Sequence, residues 1–303
     1  MSPQAEISRL VLGTAQLGMA YGVANRAGRP PEDEAVALVG VAWEGGVRGF
    51  DTAMHYGEAE AVLGRALARL GAAQKAEVVS KLAPDLDPFS PGLLEQSVRQ
   101  SLARLGLPAL AGLLLHREEL LGQWERLSPL LEDLRGRGLA RRVGVSVYSP
   151  GAALLALRCP GLDLLQVPSN ALDRRFEAAG VFEAAQAAGV RVQVRSVFLQ
   201  GLLLLPGDEL PAHMHFAAPF VRAYQALCAE AGLTPARAAL GYAWTAYPGA
   251  DILAGAESAA QVRANLAAAA PLPPGLAGEF RQCFAQVPEQ VLNPSLWPSG
   301  GAA

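Results

Sequence analysis

Four side chains in this sequence could together move a proton onto a forming alkoxide: the carboxylate of Asp51, the phenol of Tyr56, the ammonium of Lys81 and the imidazole of His116. A free tyrosine, with a pKa of about 10, is a poor acid or base at neutral pH. A neighbouring ammonium favours the phenolate and is expected to lower that value. A carboxylate beside the lysine would hold it charged and in place. An imidazole can orient a carbonyl oxygen or share the proton. Such a phenol gives a proton to an alkoxide or takes one from an alcohol. No side chain supplies hydride, so the chemistry needs a bound hydride donor. Among 25 basic residues only Lys75 and Lys81 are lysine. Arginine offers a wide planar fork with a fixed charge, so a lysine kept at this point has chemical meaning. Taken singly, each residue has an ordinary explanation: Asp51 a helix cap, Tyr56 a surface ring, His116 a satisfied core histidine.

The four lie far apart in sequence, so the fold must bring them together. Short apolar runs alternate with longer helical patterns along the whole chain. Eight strands are expected, at 10–14, 47–51, 77–81, 111–116, 142–147, 162–167, 190–196 and 251–255. The runs read as continuous rather than alternating, as parallel strands covered on both faces do. Between them, PEDEAVALVGVAWEGG has acids in its first turn and glycines at its end. SPGLLEQSVRQSLARLG is expected to start on Ser90 as N-cap with Pro91 in the first turn and to end at Gly106; SPGAALLALRC repeats the Ser-Pro start at Ser149. Eight strand–helix units imply a single (β/α)8 TIM barrel domain over residues 1–303, fraying at about 298–303. A doubly wound sheet would announce a dinucleotide with GxGxxG, and the chain has none. In a barrel, Asp51 ends the second strand, Lys81 the third and His116 the fourth, so all converge at one mouth with Tyr56. The connections at 15–31 and 198–219 are too long for turns and follow strand C-terminal ends, where barrel active sites lie.

Composition narrows the function further. The net charge is −3, which gives no footprint for nucleic acid. Cys159, Cys228 and Cys283 are odd in number and far apart, and are read as reduced thiols of a cytoplasmic protein, not as a zinc site or disulfide set. The polar start MSPQAEISR does not read as a signal peptide, and no apolar run reaches membrane-spanning length. Small molecules are the expected partners; oligomeric state stays open.

The motifs GTAQLG, FDTAxxYG, VVSKL, LLLH, GVS, QVPSN, RSVFLQGLL and GAxSxxQVxxN, from about Leu10 to Leu266, resemble the aldo-keto reductase superfamily. That resemblance implies an (α/β)8 barrel binding a nicotinamide nucleotide without a Rossmann domain. It implies Tyr56 as general acid/base, Asp51 and Lys81 as its tuning pair, and His116 as carbonyl orienter. It places the carboxamide of the nicotinamide against Ser146 and Gln166. The family's Asn after that serine is Val147 here, so one amide contact is lost or supplied elsewhere, with Asn170 as a candidate. The family's aromatic under the ring is Arg195 here. Gly13 and Thr14 belong to the cofactor set, and Ser196, Gln200 and Gly201 would line the pyrophosphate. At the adenosine end, Gly255, Glu257, Ser258, Gln261 and Asn265 form a strand end, a turn and a helix start suited to a phosphate. A basic residue that many relatives use for the 2′-phosphate of NADP is Glu257 here, with Arg263 one turn on. NADP(H) is favoured on the family pattern, with NAD(H) the alternative because of Glu257.

Candidate substrate contacts are Met19, Tyr21, Met54, His55, His213, His215, Phe216 and Trp297, suited to an aldehyde, ketone or sugar carbonyl. His213 and His215 lack the further ligands of a metal site, and none is expected. The alternatives are a nucleotide-binding sensor or interaction module with little turnover, which the intact tetrad argues against but Val147 and Arg195 leave open, and an unrelated barrel isomerase or metal-dependent hydrolase, whose carboxylate/His metal cluster the sequence lacks.

Overall fold

A computed structural model describes residues 7–298 of the chain; the expected fraying beyond Pro298 lies outside the described residues. Eight strands form a closed parallel barrel in sequence order: β1 (Leu10–Gly13), β2 (Gly49–Asp51), β3 (Glu77–Lys81), β4 (Gly112–Leu115), β5 (Val143–Ser146), β6 (Leu164–Pro168), β7 (Arg191–Arg195) and β8 (Asp251–Gly255). β8 closes onto β1 with Gly255 beside Gly13. The ring helices are α1 (Glu32–Glu44), α2 (Ala59–Arg69), α3 (Leu93–Leu105), α4 (Trp124–Gly136), α5 (Pro150–Ala156), α6 (Val181–Ala188), α7 (Pro235–Ala246) and α8 (Ala259–Ala268). An additional helix, Ala218–Glu230, precedes α7, and another, Leu276–Cys283, follows α8.

Local chemistry sets the helix starts. Ser149 caps α5 by accepting from Ala152 N–H at 3.2 Å, with Pro150 in the first turn. Ser258 does the same for α8 through Gln261 N–H. The expected cap of α3 differs. Ser90 Oγ donates to Asp87 Oδ2 at 2.9 Å, and the helix begins two residues after Pro91, behind a left-handed Gly92.

Most of the core lies between the strands and the helices, with Phe50, Val98, Leu131, Leu165 and Leu240 fully buried. Inside the barrel, period-two alternation reappears. Val79, Leu114 and Leu164 form a small apolar layer of their own. One pleat further toward the mouth stand Lys81 on β3 and Gln166 on β6, two residues beyond Val79 and Leu164. The parallel register puts Asp51 between Gly13 and Val79, and Ser146 beside Gln166. The runs therefore read as apolar in sequence although their inward positions change from apolar to polar toward the mouth.

Two contacts hold the second and third strands where the site needs them. Gly18 packs so tightly on the loop after β2 that a Cβ there would overlap the Tyr56 carbonyl oxygen, and Gly57, at φ +54°, meets Gly18 from the other side. Behind β3, the buried carboxylate of Glu60 on α2 accepts from Ser80 Oγ and Ser101 Oγ, both at 2.6 Å, and from Arg104 Nε at 2.8 Å. Ser80 is the residue before Lys81, so this network ties the strand that carries the ammonium to α2 and α3.

Glu60→Ala leaves two buried hydroxyls and a guanidinium without their acceptor. We expect a loss of about 2–4 kcal/mol in urea-unfolding stability, and Glu60→Gln to lose less. A wild-type midpoint for Glu60→Ala would show that the network does not tie β3.

Candidate active site

The ends of β2, β3 and β6 meet inside the mouth. Lys81 Nζ donates to Asp51 Oδ1 at 2.5 Å and to the Thr52 carbonyl at 2.9 Å. Both charged side chains are almost wholly buried, at 2% and 5% exposure. The second oxygen of Asp51 accepts from Gln166 Nε2 at 2.7 Å, and Gln166 Oε1 accepts from Ser146 Oγ at 3.1 Å. The loop after β2 is pinned by backbone bonds from Thr52 N–H to Val79 and from Met54 N–H to Lys81. That loop turns the Tyr56 ring over the pair, with Lys81 Nζ 5.2 Å from the ring centroid. His116 meets the Tyr56 ring edge-on at 6.3 Å between centroids, and His55 lies against both. Asp51, Tyr56, Lys81 and His116 are therefore brought together.

The electrostatics differ from the expectation in one respect. The Tyr56 phenol is pushed above its ordinary value, not lowered. Burial is the main cause and the Asp51 charge adds to it, while Arg195 pulls the other way. Lys81 spends its charge on Asp51, so the pair offers the phenol little net positive field. The hydroxyl is accordingly protonated at neutral pH and ready to donate. Burial, then Lys81, lowers His116 to about 3, so its ring is neutral, and its Nδ1 is buried without a partner. His55 is lowered as well, by burial and Lys81. Tyr21 leaves 36% of its surface exposed, yet burial of its environment and the neighbouring Tyr56 push its phenol up to about 12.

A cleft with about 1080 Å³ of open space runs from this cluster to the end of β8. Gly13, Thr14, Asp51, Gln166, Arg195, Ser196, Gln200, Gly201, Gly255, Glu257 and Gln261 line it. Ser146 lies behind Gln166, buried. Ser258 caps α8, and Asn265 donates to the Gly255 carbonyl at 3.3 Å; neither lines the cleft. A Cβ on Gly201, at φ +87°, would come within 2.6 Å of Ala24, so that stretch needs its glycine, whereas one on Gly255 would displace only the Gln16 amide. Amide and hydroxyl groups from Thr14, Gln16, Gln166, Ser196, Gln200 and Gln261 line the cleft among apolar side chains. Asn170, the candidate to replace the missing family amide, does not line the cleft and has partners of its own. Its Nδ2 donates to the Ser196 carbonyl and its Oδ1 accepts from Leu172 and Asp173 N–H.

Of the substrate candidates, Tyr21 lines the cleft. His55 does not line it but lies against Tyr56, which does, and against His116. Met19, Met54, His213, His215, Phe216 and Trp297 do not line it. His215 Nε2 is instead paired with the Leu210 carbonyl, and Phe216 and Trp297 pack on the core. Sequence reading missed Tyr148, whose ring carries the Arg195 guanidinium at 4.4 Å. An aromatic directly after the β5 run was the available signal. It also missed Gln16 and Ala24, which carry no chemical signature.

The model of the aldo/keto reductase family matches residues 9–283. A D-threo-aldose 1-dehydrogenase from a Pseudomonas species is 30% identical over 63% of this chain and 68% of its own. The L-galactose dehydrogenase of Arabidopsis thaliana is 27% identical over 97% of this chain and 94% of its own. Among solved structures, an aldo-keto reductase of Bacillus halodurans in its holo form superposes with a TM-score of 0.76, covering 94% of this chain and 95% of its own; at 23% identity that likeness speaks to the fold.

His116 provides a pH test of the site. Its folded pKa lies below the unfolded value, so the unfolded chain binds the proton first. Its contribution to stability is whole above the unfolded value of about 6.5 and is lost as pH falls toward the folded one. His116→Gln should flatten urea-unfolding stability between about pH 6.5 and 4 relative to wild type. Parallel profiles would refute the neutral, buried imidazole.

Proposed function

Since the chain belongs to the aldo/keto reductase family, we propose that it interconverts the hydroxyl and carbonyl groups of a sugar of the aldose class, with Tyr56 as general acid/base and NAD(H) as hydride partner. NAD(P)-dependent oxidoreduction between carbonyl and alcohol is the activity of the family and of this chain. The observation that carries the finer reading is the buried Lys81–Asp51 pair under the Tyr56 ring. The bound cofactor would supply or accept the hydride at the substrate carbon. Tyr56, protonated at neutral pH, donates its proton to the developing alkoxide oxygen during reduction. His116 is neutral and offers that oxygen a hydrogen bond without adding charge. Lys81 and Asp51 hold each other, the loop and the ring in place, so little reorganisation is needed when charge develops. In the oxidative direction the same phenol must first be relieved of its proton, which the positive charge of Arg195 assists.

The sugar assignment is supported by the names of the curated relatives, a D-threo-aldose 1-dehydrogenase, an L-galactose dehydrogenase and a 6-dehydroglucose reductase. It also suits a mouth of phenols and imidazoles, Tyr21, Tyr148, His55 and His116, which exchange hydrogen bonds with hydroxyls. Cofactor choice turns on Glu257. The family pattern favours NADP(H), but Glu257 lines the far end of the cleft, and Arg195, near the catalytic end, is the only cation among the lining residues. Arg263 is exposed and outside it. A carboxylate without a neighbouring cation repels a 2′-phosphate and accepts bonds from ribose hydroxyls. We place the protein in the cytoplasm, supported by its three free thiols.

Tyr56→Phe should lower kcat on an aldose panel by about 10³-fold while NADH binding, read by fluorescence, stays within about twofold. Retained turnover would exclude Tyr56 as the proton donor. Wild type should show the larger kcat/KM with NAD⁺ than with NADP⁺, and Glu257→Gln should narrow that ratio by about tenfold. A wild-type preference for NADP⁺ would overturn the cofactor assignment.

A further inference from the structure

Arg195 ends β7 inside the cleft and carries a charge with no ion-pair partner among the described residues. Nε donates to Ser146 Oγ at 3.3 Å, Nη1 to Ser196 Oγ at 3.2 Å, and Nη2 to the Val147 carbonyl at 3.1 Å. One face of the guanidinium lies on the Tyr148 ring. All three acceptors are neutral, and among the described residues Arg195 has no ion-pair partner. The contrast with Lys81 is direct, because that ammonium is matched by Asp51. The charge of Arg195 is felt across the site, since it lowers the pKa values of Tyr21, Tyr56 and His116 alike. The other charged group lining this end of the cleft, Asp51, is already spent on Lys81 and Gln166. Lys81, Asp51 and Arg195 together leave this end of the cleft with one positive charge.

We propose that Arg195 is an electrostatic tuning residue that makes the site bind the reduced nicotinamide in preference to the oxidised one. This rests on the reading that the nicotinamide lies at the end of the cleft lined by Tyr56, Gln166 and Arg195, which puts the ring beside the guanidinium. A nicotinamide ring that gives up hydride gains one positive charge, and accepting hydride removes it. The rest of the dinucleotide is the same in both states. A fixed cation at the ring therefore penalises the oxidised form alone, and by more in a half-buried cleft than in water. Three hydrogen bonds and the Tyr148 stack keep the guanidinium from swinging away to relieve the repulsion. An aromatic ring at that position would contribute contact area but no charge. Differential binding of the two redox states shifts the equilibrium between them on the protein by the same factor. On this protein the shift favours the reduced cofactor and the oxidised substrate, so bound sugar and cofactor lie further toward the carbonyl than they do free in solution.

The test is equilibrium binding to the full chain without substrate. Kd is measured for NADH by fluorescence and for NAD⁺ by calorimetry at fixed ionic strength. Wild type should bind NADH at least about tenfold more tightly than NAD⁺. Arg195→Gln should shrink that ratio by about tenfold, mainly through tighter NAD⁺ binding. Arg195→Lys keeps the charge but not the fork, and should retain most of the wild-type ratio, which separates charge from lost hydrogen bonds. The NADPH and NADP⁺ pair serves equally if the chain takes the phosphorylated cofactor, so a wrong cofactor choice does not count against the inference. A wild type without redox preference overturns it, whether or not the variants fold. So does Arg195→Gln binding both forms at an unchanged ratio. A wild type that binds neither pair refutes the nicotinamide reading itself, a result distinct from both.

Discussion

The ion pair between Lys81 and Asp51 is the constraint on which the site depends. Two charges at a barrel mouth, each nearly without solvent, lose hydration worth several kcal/mol per ion. Such a pair persists where the remaining hydrogen-bonding capacity is filled, and here it is. Lys81 also reaches the Thr52 carbonyl, and Asp51 also receives the Gln166 amide. Each additional partner comes from a different strand or loop, so the pair fixes their relative positions. The Tyr56 ring lies on this arrangement, and its loop can approach closely only because Gly18 and Gly57 carry no side chain there.

The cleft is built from less regular backbone than the barrel. After β7 the chain passes through Ser196, Leu199 and Gln200 with φ of 62°, 48° and 54°, values that side-chain-bearing residues seldom adopt. The surrounding packing holds them there. Leu199 is fully buried, and the Gln200 carbonyl accepts from Val23 N–H of the loop after β1 at 3.0 Å. The two long connections thus meet across the channel. The strained positions put Ser196, Gln200 and Gly201 on its wall, where an extended chain would carry them past it.

Charge in the mouth is divided between a cancelled pair and an uncancelled arginine. The pair organises; the arginine leaves a field. That field opposes the effect of burial on Tyr56, helps keep His116 neutral and reaches Tyr21. A hydride-transfer site in which positive charge appears and disappears on the cofactor is sensitive to such a fixed charge.

Much of the fold was legible in the chain because parallel strands buried on both sides leave apolar runs that turn signals punctuate. All eight lay where the runs placed them, within a few residues at the ends. The types at the strand ends, Asp51, Lys81 and His116, were equally plain, and a closed barrel requires such ends to converge. The start of α3 was not legible, because Ser90 had a competing acceptor in Asp87 that only geometry could rank. Nor was the direction of the Tyr56 shift, since a pKa depends on burial and on who pairs with whom, and sequence names the charges without saying which of them cancel. Loop length at 198–219 marked the segment but not its path, so His213, His215 and Phe216 fell off the cleft while Tyr148, from the loop after β5, took a place beside Arg195. Sequence by itself determined the element pattern and the chemical groups at the mouth, because those follow from residue type and local period. Tertiary structure alone decided which charges are neutralised and which remain, because that turns on distances of a few ångströms between residues as far apart as Ser146 and Arg195.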